Sequence, residues 1–145
     1  MSDTKTHPSS TPGADGTRRY VLALSRLAPD ASATVVADIF KRARDRHREL
    51  DIFGAMLFDG ERFGVLLCGA PALVEQALDA LTVDPRQALP VVLADGPSAP
   101  PWAGGGWRSG WSEPDGLAPL AAADAPRDGA ALQAWRVLIG TSDLL

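Results

Sequence analysis

The sequence predicts an α+β fold, a β-α-β-β-α-β run followed by one more strand and a C-terminal helix. Three observations carry this. Residues 33–50 and 71–82 place apolar side chains at helical steps of three and four, and short apolar runs of strand length flank them. Asp59-Gly60 stands between two such runs, a strong short-range hairpin signal. The 145 residues, 46% hydrophobic and 22% charged, suffice for one core of ordinary domain size. The first six elements follow the ferredoxin-like order, a largely antiparallel sheet with two helices on one face.

The elements follow in chain order. Residues 1–18 are rich in Ser, Thr, Pro and Gly and nearly devoid of large apolar side chains, which predicts a disordered tail. His7 falls in that tail and is assigned no role. Tyr20 to Ser25 is a buried strand. Pro29-Asp30-Ala31-Ser32 is a turn, with Ser32 as the N-cap of a helix over 33–50. Val36, Ile39, Phe40, Ala43, His47 and Leu50 share one face of that helix. Lys41, Arg42, Arg44 and Arg48 lie on the solvated side, and Asp38 pairs with Arg42 at i,i+4.

Ile52 to Phe58 and Arg62 to Cys68 form the hairpin. In its second strand Phe63, Val65 and Leu67 face one way and Gly64, Leu66 and Cys68 the other. Residues 71–82 are the second helix, with Pro71 in its first turn and Leu73, Val74, Ala77, Leu78 and Leu81 inward. Leu89 to Ala94 is the fourth strand and Trp107 to Trp111 the fifth. The 95–106 stretch between them is a Pro/Gly loop. Its Gly104-Gly105-Gly106 lacks the Lys-Ser/Thr and following helix of a phosphate loop. The last segment, 113–145, is an extension with one helix over 128–139. The stripe Leu132, Trp135, Leu138 and Ile139 must dock to persist, either on the sheet face away from the other two helices or in a dimer.

Composition narrows the function. A formal net charge of −4 gives no basic surface for nucleic acid. No apolar run approaches the length of a membrane span, and the N-terminus has no secretory h-region. The expectation is a cytoplasmic protein with no membrane partner. The single cysteine, Cys68, excludes an intrachain disulfide and a Cys-based metal cluster; it reads as a small buried hydrophobe. His47 reads as a core-edge histidine satisfied by a protein partner. Trp107 and Trp111 share a strand face and read as packing residues. No nucleophile–base or carboxylate pair stands at a readable spacing, so no enzyme is expected.

Several strings, in order, resemble the BLUF family of blue-light sensors that use FAD. They are A-L-S-R-L-A at 23–28, I-F-G at 52–54, F-D-G-E-R-F at 58–63, V-L-L-C-G at 65–69, D-P-R at 84–86 and W-R-S-G-W at 107–111. The resemblance spans residues 19–112. It implies a flavin lying over the sheet between the two helices, with Ile39, His47, Phe63, Val65, Leu67, Arg86 and Trp107 at cofactor-contacting positions. It also implies a photoactive Tyr, Asn and Gln. Those three positions hold Ala23, His47 and Val65, and the family's Met position holds Ser109.

Alanine and valine have no group with which to move a proton or bond the ring edge. The expectation is therefore a BLUF-like regulatory or protein-interaction domain without photochemistry and without a bound cofactor, FAD being the cofactor if one is held. The alternative is a sensor that still takes FAD or another flat ligand in the inherited cleft. With no output domain in these residues, a signal is expected to leave through a separate protein partner; a homo-oligomer is a further candidate partner.

Overall fold

The structure, a computed structural model, describes residues 18–97 and 106–145. The predicted tail up to residue 17 and most of the 95–106 loop lie outside the described residues. In chain order the elements are β1 (Arg19–Leu27), a 3-10 turn (Ala33–Val35) leading into α1 (Val36–Glu49), β2 (Phe53–Phe58), β3 (Arg62–Gly69), α2 (Pro71–Thr82) and β4 (Gln87–Gly96). Then come β5 (Trp107–Trp111), α3 (Ala118–Ala121), α4 (Asp128–Thr141) and β6 (Asp143–Leu144). The fold is α+β, with a six-stranded sheet in the order β4-β1-β3-β2-β5-β6. Its first four strands run antiparallel to their neighbours, β5 joins β2 in parallel, and β6 closes antiparallel on β5.

β1 and β3 are central and apolar on both faces, as strands covered from both sides must be. β4 is an edge strand, and it carries the exposed Pro90 that a central strand would not tolerate. One core lies between the sheet and α1 and α2. It holds Val21, Ile39, Phe40, Met56, Phe58, Phe63, Leu67, Val74 and Leu81. The second lies on the opposite face, where Leu22, Leu57, Leu66, Cys68 and Leu93 meet Leu117, Leu120, Ala131 and Trp135 of the extension. α4 thus docks on the face away from α1 and α2. Its stripe turns on Ala131 and Trp135, both fully buried, with Leu132, Leu138 and Ile139 only partly covered.

Three local expectations are corrected. The extension holds two helices and a strand, not one helix. α3 has only four residues and β6 two, too short for a periodic pattern to register. The hairpin turn centres on Gly60-Glu61: the Asp59 backbone N–H donates to the Arg62 carbonyl at 3.1 Å, and Asp59 Oδ1 accepts the Glu61 and Arg62 backbone N–H groups at 3.0 and 2.6 Å. Ser32 caps nothing; its hydroxyl lies 2.5 Å from that of Thr34, and the chain enters α1 through the 3-10 turn.

Two glycines are required by close approach. Gly54 sits at φ +140° with the Leu66 carbonyl where a side chain would stand. At Gly64 a Cβ would lie 2.6 Å from Trp135 Cζ3, so the bare backbone of β3 forms the floor on which the indole rests.

Candidate functional site

Strand register gathers the sequence-predicted positions on the helix face of the sheet. Ala23 of β1 lies directly opposite Val65 of β3, Val65 opposite Met56 of β2, and Met56 opposite Ser109 of β5. These four make one row across the sheet. The next row runs Val21, Leu67, Gly54, Trp107. Ile39 reaches the same core from α1, and Phe63 joins it one step along β3. Ile39, Phe63, Val65 and Leu67 are all buried, and Trp107 packs against them from the rim. Five of the seven candidate positions therefore belong to one continuous apolar surface.

His47 stands on the inner face of α1, in the last turn, and is wholly buried. Its ring lies 4.1 Å from the Trp107 ring, centroid to centroid, at a tilt of 56°. Neither Nδ1 nor Nε2 has a hydrogen-bond partner, and Trp107 Nε1 has none either. The expected satisfied histidine is thus not what the fold provides. Burial, with a smaller push from the adjacent Arg46 charge, lowers the imidazole pKa from 6.5 to about 3, so the ring is neutral at pH 7. Each orphaned buried nitrogen costs roughly 1–3 kcal/mol.

Arg86 is not part of this surface. It projects from the Asp84-Pro85-Arg86 turn after α2 and is partly exposed. Nη1 donates to Asp38 Oδ2 of α1 at 2.6 Å and Nε to Asp84 Oδ1 at 3.3 Å. Asp38 also accepts Arg42 Nε at 2.8 Å. Arg86 and then Arg42 hold the Asp38 carboxyl below the usual carboxylate range. The guanidinium thus spans from the α2–β4 turn to α1, tying the two helices at one end of the groove between them.

Sequence reading missed two polar features. Ser25 Oγ donates to Gln87 Oε1 at 2.7 Å in a buried bond joining β1 to β4. Asp59, 3% exposed, does more than shape its turn. Its Oδ2 accepts the Leu117 backbone N–H at 3.0 Å, and its carbonyl accepts that of Asp115 at 3.2 Å, so the hairpin tip anchors the extension. An aspartate ahead of a hairpin glycine signals the turn; nothing local signals the distant partner. Cys68 faces the second core, and burial pushes its thiol up to about 12, which leaves it inert. Trp111 makes edge contacts with Phe40 and Phe58 at 5.8 and 5.5 Å and stays partly exposed. Among the described residues no cluster of metal-ligating side chains occurs, and no helix is long and apolar enough to cross a membrane.

A family model described as "BLUF: Sensors of blue-light using FAD" matches residues 19–100. No curated protein sequence matches. Among solved structures, the dark state of the BLUF protein BlrB superposes with a TM-score of 0.66 at 20% identity, covering 85% of this chain and 95% of that one. BlrP1 of Klebsiella pneumoniae, with FMN and cyclic diGMP, gives 0.59 at 24% identity over 87% of this chain and 30% of its own. A bacterial light-regulated adenylyl cyclase gives 0.56 at 16% identity over 63% of this chain. The chain spans only 27% of the cyclase's length.

Proposed function

Because this chain belongs to the BLUF family of sensors of blue light using FAD, we propose that it is a sensor-type regulatory domain that has lost blue-light photochemistry and acts as an intracellular protein-interaction module. The observation that carries the proposal is the row Ala23–Val65–Met56–Ser109. By resemblance, the family's Tyr, Gln and Met fall on three of those four positions. Here Ala23 and Val65 face each other across the ladder, and neither side chain has a polar atom. A flavin edge placed against them would leave its own acceptors unpaired, at roughly 1–3 kcal/mol each. The face does not fit a flavin held by the family's hydrogen-bond network, and no light-driven step is derived through one. Fold alone does not confer the lost chemistry. The row's one polar side chain, Ser109, stands without a base in the row, and the proposed role is binding without catalysis.

The test is spectroscopic. Purified protein should be colourless. After incubation with FAD and blue illumination it should show no reversible red shift of flavin absorption; such a shift would overturn the proposal. A second reading rests on a separate observation, the three unpartnered nitrogens of His47 and Trp107. Trp107 Nε1–H can donate to a flat ligand seated over the Leu67–Trp107 row, and the neutral His47 ring can donate from one nitrogen and accept at the other. If flavin or another planar ligand co-purifies, His47→Ala should release it while Arg46→Ala should not, and the second reading replaces the first.

A further inference from the structure

We propose that the groove between α1 and β5 is a binding site for a small organic anion bearing a planar ring. The groove shares Trp107 and Ser109 with the helix-face surface described above, but its cationic residues lie outside that surface, and the inference does not rest on the loss of photochemistry. Four of the α1 residues that line it, Ala37, Lys41, Arg44 and Arg48, form a stripe on the flank of the helix toward β5, with Phe40 beside them. The core stripe of Ile39, Ala43 and His47 lies beside it, and the Asp38–Arg86 pair lies on the opposite flank. The groove encloses about 320 Å³, at the lower end of the range for small-molecule sites.

Its walls divide into two kinds. Phe40, Trp107 and Trp111 give an aromatic wall, and the indole N–H of Trp107 has no partner. Arg44, Arg48 and Arg108, with Lys41, give a cationic rim in a chain of net charge −4. Asp45 neutralises part of that rim through Lys41 at 3.0 Å and Arg44 at 3.4 Å. Arg48 and Arg108 make no ion pair with any described residue, and both are exposed. Guanidinium groups and indoles lining one groove suit a ligand with a negative group at one end and a flat ring at the other. The ring stacks on the tryptophans and the anion lies between Arg48 and Arg108.

The experiment titrates the isotope-labelled full chain with AMP, adenosine and inorganic phosphate, following amide signals by NMR. AMP should shift signals at 107–111 and 40–48. Adenosine and phosphate should each act there roughly tenfold more weakly, since each engages only one wall. The double variant Arg48→Gln, Arg108→Gln should lose about tenfold or more in AMP affinity with adenosine unaffected. Both arginines are exposed, so an otherwise unchanged spectrum shows the variant folded. Trp111→Ala should weaken AMP and adenosine alike. The proposal is overturned if AMP at about 5 mM leaves those signals unmoved, if it acts elsewhere, or if the double variant binds it equally.

Discussion

The two faces of the sheet are built from the same strands but held in different ways. The helix face is covered by α1 and α2, each joined directly to the strands it covers, and its burial is spread over many medium-sized apolar side chains. The far face is covered by a distant segment and depends on one large anchor, Trp135, with the Asp59 carboxylate holding the chain that leads to it. The helix face also keeps an unpaid polar burden at His47. The far face carries an orphan too, the buried Trp135 Nε1, so the two faces differ in how burial is distributed and not in whether an unpartnered polar group is tolerated.

The largest effect should come from breaking the far face. Trp135→Ala should cost roughly 3–5 kcal/mol in chemical denaturation, because the void over Gly64 cannot close against bare backbone. Amide exchange should show 128–141 losing protection first. Asp59→Ala should cost about 2–4 kcal/mol, since it orphans the buried Leu117 N–H and two turn amides together; Asp59→Asn should recover part of that loss.

The helix face can be sharpened by pH. The folded His47 pKa of about 3 lies below the ordinary 6.5, so the unfolded chain takes the proton first. Stability from this group is full above 6.5 and falls with pH through the window down to about 3, by up to about 1.4 kcal/mol per pH unit. The His47 share of the Tm slope between pH 6.5 and about 4.5 is the part that removing the imidazole abolishes. His47→Phe should flatten that slope and leave stability at pH 7 unchanged or slightly higher. The smallest effect should be at the Asp38–Arg86 pair. It is partly exposed, and Arg86→Ala should cost under about 1 kcal/mol by denaturation, less at high salt.

Much of the helix face was legible in the sequence. Val36, Ile39, Phe40, Ala43 and His47 announce α1 by their period, and the alternation in β3 assigns Phe63, Val65 and Leu67 to one core and Leu66 and Cys68 to the other. The docking of Trp135 followed from an apolar stripe needing a cover. What could not be read depends on distance and direction. The unsatisfied ring of His47 is set by what surrounds it, not by its place in the helical period. Arg86 matches a cofactor position by its string, yet its charge finds Asp38, 48 residues away in sequence. Asp59 and Leu117 carry no mutual signal. Gly64 is assigned a face by the alternation of β3, but nothing in the sequence pairs it with the indole of Trp135 that rests on it.

That fit at Gly64 also constrains the order in which the sequence can change. With Trp135 in place, any side chain at position 64 collides with the indole, so the glycine is frozen. Once Trp135 has given way to something smaller, position 64 is released and a larger residue there would fill the void. The two substitutions are harmful singly and compatible together, with strongly non-additive effects. Drift across this interface is therefore directional: the anchor must shrink before the floor can rise, and a lineage taking the steps in the other order passes through a chain that cannot close its far face.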